Sequence, residues 1–190
     1  EIDSYAFSNC NGLIEVEIPD TVLAIGDGAF LDCKNLQKFA WNANEGTLGT
    51  RVFSGNTSLQ QVDLPGSINA LGGSLFYNCK ALEHFQIPSG VTQIGAQCFS
   101  GCSLLSDIDT SMIEVFEAKA FMNCSALEDV SIEKAVSIGD SCFAGCTLLT
   151  TVQIDHEMTI GSNAYKDCEL TSLRINSPIV SDGGFANCTI

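Results

Sequence analysis

The feature of this sequence that most constrains its fold is an aromatic residue that recurs every 20–23 residues along the whole chain. The residue three positions after each aromatic is cysteine in every unit but one, where Asn56 stands instead. A unit of roughly 20 residues cannot bury its own apolar side, so neighbouring units must stack to share one core. The recurring aromatic residues are Phe7, Phe30, Phe53, Phe76, Phe99, Phe121, Phe143, Tyr165 and Phe185.

Each unit also contains a strand motif. A leucine stands six positions after the aromatic in the first seven units, and Leu170 arrives one residue early in the eighth. It begins the pattern leucine-x-x-apolar-x-apolar, as in "LIEVEIP", "LQQVDLP" and "LEHFQIP". This alternation predicts a short strand with one side facing inward, and strands of successive units should pair in parallel about 4.8 Å apart. An apolar residue followed by glycine, as in Ile25–Gly26, precedes most aromatics and predicts a turn.

The repeat is similar to that of a known family. The stretch "LEHFQIPSGVTQIGAQCFSGC", from Leu82 to Cys102, resembles the unit of the BspA-like leucine-rich repeats almost position by position. The resemblance implies a leucine-rich repeat solenoid of about eight stacked repeats. It also implies a parallel β-sheet on the concave face, with short strands, turns or 3₁₀ segments elsewhere. Members are commonly surface proteins of bacteria and protists with adhesion or host-contact roles. The competing fold, a right-handed parallel β-helix, is disfavoured because each unit has one strand motif, with a cysteine before its leucine.

The repeats run through residues 1–190, which predicts a single leucine-rich repeat domain. The chain starts inside a unit, at "EIDSYAFSNC", and stops inside one, at "FANCTI". A solenoid needs polar caps over its terminal core. We therefore expect a fragment of a longer chain, or a partner at each end.

Two motifs, "CFSGC" and "CFAGC", raise the hypothesis of a metal site or of redox-active thiols. Their first cysteines, Cys98 and Cys142, occupy the position before the aromatic, which every other unit fills with a small or apolar residue. The two cysteines are two repeats apart, about 10 Å by strand spacing, and structural zinc usually has four ligands with tighter spacing. The pattern predicts core residues, with no metal and no cofactor. Neighbouring cysteines of the main column are within disulfide reach on distance alone, so the ten cysteines do not identify a compartment.

The formal net charge is −15, from 23 acidic and 8 basic residues. Nucleic acids bind through Lys and Arg, and anionic membranes attract basic segments, so neither is an expected partner. No apolar run approaches the roughly 18 residues of a membrane-spanning helix, so no direct membrane insertion is expected.

The two histidines, His84 and His156, are predicted to be solvated surface residues. Neither stands in a pattern typical of a hydrolase, and no G-x-S-x-G motif occurs. A polysaccharide-active enzyme would need acidic residues joined by Lys or Arg in one groove, whereas Lys38 and Arg174 lie at opposite ends of the strand series. The chain is therefore predicted not to be an enzyme.

The outward positions of the predicted strands form the surface on which solenoids usually bind extended partners. Six of these sixteen residues are acidic and two are basic. Trp41 is predicted to be core, and is a candidate anchor if exposed. The candidate partner-binding residues are Glu15, Glu17, Lys38, Asp63, His84, Asp107, Asp109, Asp129, Arg174 and Trp41.

Three of these acidic residues carry a secondary hypothesis. Asp107, Asp109 and Asp129 should approach one another across adjacent strands, and Ca²⁺ prefers several carboxylate oxygens. The alternative is a solvated acidic surface, which the sequence favours because it contains no D-x-D-x-D-G loop.

Two units depart from the repeat. In "FAWNANEGTLGTRVF", Trp41–Asn42 replaces Ile-Pro and Glu45 replaces the valine found at Val22 and Val91, which predicts a remodelled loop. In "IDTSMIEVFEAKAF", Glu117 replaces the glycine.

Three N-glycosylation sequons begin at Asn56, Asn123 and Asn187, and two of them arise from the repeat itself. They are weak evidence for secretion. The predicted function is a protein-recognition or adhesion module of a surface or secreted protein, acting on an unknown protein through the strand face. The alternative is a structural subunit of a larger intracellular or extracellular assembly, whose partners are neighbouring subunits.

Overall fold

The computed structural model of the protein describes residues 1–176 and 179–189. These residues form a solenoid of short parallel strands joined by turns, and within them no helix could cross a membrane. The strands are β1 (Glu15–Ile18), β2 (Ala24–Ile25), β3 (Lys38–Trp41), β4 (Thr47–Leu48), β5 (Gln61–Asp63), β6 (Gln93–Ile94), β7 (Val115–Phe116), β8 (Ser137–Ile138), β9 (Thr151–Ile154), β10 (Thr159–Ile160), β11 (Ser172–Ile175) and β12 (Ile179–Val180).

Five strands follow the repeat leucines where the sequence predicts them. Strands β1, β3 and β5 form one parallel sheet, in which Glu15 lies opposite Lys38 and Lys38 opposite Gln61. Strands β9 and β11 form a second parallel pair. Between these two groups, the described chain has a single bridge on this side, from His84 to Asp107. The predicted parallel strand series is confirmed, but its backbone pairing is interrupted in the middle of the chain.

A second series of strands lies at the apolar-glycine motifs, for which the sequence predicts turns. Strand β2 pairs with β4, and β6, β7, β8, β10 and β12 form a five-stranded parallel sheet. Each strand has only two residues, so the motif serves both as a strand and as the start of a turn. This second series closes the other side of each repeat.

The glycine after these strands lies against the backbone of the preceding repeat. A methyl group built on Gly95 would lie 2.8 Å from the carbonyl carbon of Gly72 and from the amide nitrogen of Gly73. Backbone atoms inside a hydrogen-bonded ladder cannot move aside as a flexible side chain can. The close stacking at this step therefore requires glycine at position 95, whereas Glu117 and Ser181 follow β7 and β12.

We expect Gly95→Ala to lower the free energy of unfolding by about 2 kcal/mol, because the added methyl group overpacks a rigid contact. The matched control is Gly12→Ala, since no atom lies within 4 Å of the position its methyl group would take. That control should leave the free energy unchanged or raise it by about 0.5 kcal/mol. Urea unfolding of both variants measures the difference, and equal effects would contradict this account.

The core is organised around the predicted aromatic residues, which form one continuous stack. Neighbouring ring centroids are 5.1–6.3 Å apart, and their planes differ by at most 19°. The seven rings from Phe30 to Tyr165 are buried, whereas Phe7 is 40% exposed. Offset stacking adds to the free energy gained from apolar burial.

The cysteine column runs beside this stack. Its thiols donate hydrogen bonds to the carbonyl of the preceding repeat's aromatic residue, with Sγ–O distances of 3.0–3.2 Å. Asn56 fits the same column because its Oδ1 accepts the Cys33 amide at 2.8 Å. Cys98 and Cys142 are fully buried among apolar residues, and all ten cysteines are free thiols. The prediction that these cysteines belong to the core is confirmed.

Candidate partner-binding face

The first strand series presents one side of each strand to solvent. In β9, Thr151 and Gln153 are exposed while Val152 and Ile154 are buried, and β5 shows the same alternation. We call the outward residues of this series the strand face: Glu15, Glu17, Lys38, Ala40, Gln61, Asp63, His84, Gln86, Asp107, Asp109, Asp129, Ser131, Thr151, Gln153, Ser172 and Arg174.

Each cationic side chain of the strand face lies beside a carboxylate. Lys38 Nζ is 3.2 Å from Glu15 Oε1, and Arg174 Nε is 3.4 Å from Asp155 Oδ1. His84 Nδ1 is 3.4 Å from Asp107 Oδ2. These pairs are solvent-exposed, so they stabilise the fold little, but they occupy Lys38 and Arg174, the two basic residues of the face.

The other carboxylates of the face bind neutral donors. Asn42 donates to Glu17 at 2.9 Å, and Gln61 donates to Asp63 at 2.8 Å. The Ser111 amide donates to Asp109 at 2.9 Å, and hydrogen bonds from Ser111 lower the pKa of Asp109. The Val130 amide donates to Asp129 at 2.8 Å. None of these four carboxylates has a Lys, Arg or His side chain beside it in the described residues.

The geometry does not support the secondary hypothesis of a calcium cluster at Asp107, Asp109 and Asp129. Among residues 1–176 and 179–189, no group of three or more acidic, histidine or cysteine side chains is placed to hold a metal ion. Asp107 instead contacts His84, while Asp109 and Asp129 each bind a nearby backbone amide. The strand pairing that would have brought Asp129 beside the other two is also absent from the described ladder.

Grooves lie along the strand face. One of about 290 Å³ is bordered by Glu17 and Asp63 and has Ala40 among its lining residues. A second, of about 470 Å³, continues from Asp63 past Gln86 to Asp109. A third, of about 460 Å³, lies farther along the chain between Asp129 and Asp155. All three have carboxylates among their lining residues, and the first also has Lys38, whose Nζ is paired with Glu15.

Trp41 does not belong to this surface and is removed from the partner-binding set. Its side chain is 2% exposed, and its indole N–H donates to the Val22 carbonyl at 2.8 Å. The indole ring packs against Gly46. The side chain of the neighbouring Glu45 is exposed to solvent. The prediction of a core tryptophan is confirmed, and Glu45 is exposed rather than buried as the valine at Val91 is.

The histidines differ from each other. His84 is exposed, as predicted. His156 is half-buried rather than fully solvated, because its Nε2 donates to the Ala135 carbonyl at 2.6 Å. Its neighbour Asp155, which pairs with Arg174, was not singled out by the sequence reasoning. The available signal was its position directly after a strand, where other units have proline.

The sequons are not equivalent. Asn56 is fully buried and hydrogen-bonded in the core, so it cannot carry a glycan in the folded protein. Asn123 and Asn187 are exposed in turns with positive φ. Asn56 is therefore removed from the candidate glycosylation sites.

Comparison with known proteins agrees with this geometry. The family model described as "BspA type Leucine rich repeat region (6 copies)" matches residues 1–106 and 74–190, which together span the chain. The chain belongs to the BspA-type leucine-rich repeat family.

Two solved structures resemble this BspA-type domain. A leucine-rich cell surface protein from Faecalibacterium prausnitzii A2-165 is 19% identical, with a TM-score of 0.61 over 98% of this chain and 74% of its own. A leucine-rich repeat protein of T. pallidum is 21% identical, with a TM-score of 0.57 over 72% of this chain and 78% of its own. At these identities the likeness supports the fold alone. No curated protein is significantly similar to the chain.

Proposed function

We propose that this BspA-type domain is a non-enzymatic protein-recognition or adhesion module that binds its partner through the strand face. The observation that carries the proposal is the strand face itself, where outward polar side chains are exposed in register while the alternate residues hold the core. Solenoids commonly bind extended partners on such a surface.

The grooves are the second support. They provide recesses for partner side chains between repeats, and carboxylates lie at their borders. A partner that inserts side chains into several grooves gains contacts from several repeats at once. We place the module on a surface or secreted protein, in keeping with the family and with the cell surface protein among its structural relatives.

Site-specific photocrosslinking in the cells that make the protein tests this proposal. A photoreactive residue is placed on the strand face by Gln61→benzoylphenylalanine or Thr151→benzoylphenylalanine. The matched controls place it on the exposed turns, by Glu45→benzoylphenylalanine or Glu157→benzoylphenylalanine. We expect the strand-face positions, and not the turn positions, to give one discrete protein adduct.

Adducts at the turns alone would overturn the proposal. They would favour the alternative, a structural subunit that packs into an assembly through its remodelled loops.

A further inference from the structure

Three uncompensated carboxylates of the strand face occur at every second repeat. Glu17 and Asp63 occupy the same column, because Glu17 lies opposite Ala40 and Ala40 lies opposite Asp63. Asp109 continues the column, since the bridge between His84 and Asp107 sets Gln86 opposite Asp109. Small or neutral side chains, Ala40 and Gln86, therefore alternate with the carboxylates.

The alternation of carboxylates with neutral residues determines the spacing between successive carboxylates. Paired strands lie about 4.8 Å apart, so Glu17 and Asp63 are separated by about 10 Å. Over the next two steps the stacked rings of Phe53, Phe76 and Phe99 are 5.4 and 5.3 Å apart. The whole column from Glu17 to Asp109 thus spans about 20 Å, with a negative charge at each end and one in the middle.

Each of the first two grooves lies between two successive carboxylates of this column. The first lies between Glu17 and Asp63, and the second lies between Asp63 and Asp109. A cationic side chain in either groove would have a carboxylate on both sides, and Lys38, which also lines the first groove, is paired with Glu15. None of the three carboxylates has a Lys, Arg or His within 4.0 Å in the described chain, so no internal ion pair would have to be broken.

The spacing selects among partner conformations. Residues seven apart in an α-helix lie on nearly the same side and are about 10.5 Å apart, which gives about 21 Å over two intervals. Side chains on one side of an extended strand repeat at about 6.6–6.8 Å, and those of a polyproline II segment at about 9.3 Å. Two helical intervals give about 21 Å against about 20 Å for the column, two polyproline II intervals give about 19 Å, and two strand intervals give only about 13 Å.

We infer that Glu17, Asp63 and Asp109, with the two grooves between them, bind a basic α-helical segment of a partner protein whose cationic residues are seven positions apart. The inference rests on the proposed function of the strand face and adds the chemistry of the partner. Charge complementarity carries it: a chain of net charge −15 presents regularly spaced carboxylates without an ion-pair partner on a sheet face that none of the described residues covers.

Two synthetic helical peptides of equal composition provide the probe. Both are alanine-rich with three arginines, which are seven residues apart in the first and five apart in the second. A step of five residues turns the arginines to different sides of the helix. Binding of each labelled peptide to the wild-type domain is measured by fluorescence anisotropy at low and moderate salt. We expect the first peptide to bind at least tenfold tighter, with an affinity that falls as salt rises.

Matched triple variants locate the site. Glu17→Gln, Asp63→Asn and Asp109→Asn together should weaken binding of the first peptide at least tenfold. The control combines Glu45→Gln, Glu114→Gln and Glu157→Gln, which remove the same charge from exposed turns and should change binding less than twofold. Equal binding of the two peptides, or equal losses in the two triple variants, would overturn the inference.

Different results would refute the proposed recognition function and the proposed basic helical partner. Photocrosslinks on the strand face combined with equal peptide affinities would leave the recognition function in place and remove the basic helix as its partner. Selective peptide binding combined with crosslinks only at the turns would remove the strand face as the functional surface in the cell.

Discussion

Alkaline unfolding before about pH 10 is the result we expect from a pH titration of the native protein. Eight of the ten thiols are buried. Burial raises the pKa of Cys124 and of Cys168 to about 12, and it raises the pKa values of Cys98 and Cys102 well above the ordinary range. The cause is desolvation, which penalises the thiolate and leaves the neutral thiol favoured in the fold.

The sign of the effect follows from linkage. In the unfolded chain a thiol ionises near pH 8.5, whereas in the folded protein it stays neutral to a higher pH. The stabilisation is fully present below pH ~8.5 and is lost as the pH rises toward the folded-state values. At about pH 10 a thiol that stays neutral in the fold costs about 2 kcal/mol, so several such thiols together offset the stability of a typical domain, about 5–15 kcal/mol.

Fluorescence of Trp41, the only tryptophan, follows the transition because its ring is buried. A matched control is the double variant Cys98→Ala and Cys142→Ala, since alanine occupies the same position in other repeats, as at Ala29 and Ala120. With six buried thiols instead of eight, the loss of unfolding free energy per pH unit should fall by about a quarter. An unchanged loss would show that thiol ionisation does not drive the transition.

The repeat made much of this fold predictable. The spacing of the aromatic residues and the leucines identified the core, because only stacked units can bury apolar residues at that period. The outward strand positions were predicted for the same reason, since a strand with one side in the core must expose the other. The positions of Val62 and Asp63 follow directly, the first buried and the second exposed.

What the repeat could not predict lies where single residues replace the consensus. The volume of Trp41 fills the space of a missing valine, and Asn56 can be buried because one amide of the preceding repeat meets its oxygen. Neither outcome can be deduced from residue type, since both depend on the exact position of a neighbouring backbone atom.

One missed feature was visible in the sequence. The residue two positions after each aromatic has positive φ throughout, as in Asp32, Asn78 and Gly101. Asparagine, aspartate and glycine are the residues that tolerate this conformation, and they fill the whole column. A left-handed turn residue in every repeat was therefore predictable from composition at that position alone.

A fully buried ring inside the aromatic stack should be costly to remove. Phe121 is fully buried, with Phe99 at 5.1 Å on one side and Phe143 at 5.5 Å on the other. We expect Phe121→Ala to lower the free energy of unfolding by about 3–5 kcal/mol, from lost apolar transfer energy and the cavity that remains. Phe7→Ala is the control, because Phe7 is 40% exposed and contacts one neighbouring ring of the stack. It should cost much less.

Because the fold is a solenoid, removing the Phe121 ring should also change how cooperatively the protein unfolds. Each repeat contacts only its neighbours, so a cavity at Phe121 weakens the coupling between the two halves of the stack. Trp41 reports on the N-terminal half, whereas far-ultraviolet circular dichroism reports on all strands. In wild-type protein the two urea transitions should coincide, and in Phe121→Ala they should separate because the halves unfold independently. Coincident transitions in the variant, or an equal cost for Phe7→Ala, would show that the stack does not couple the repeats.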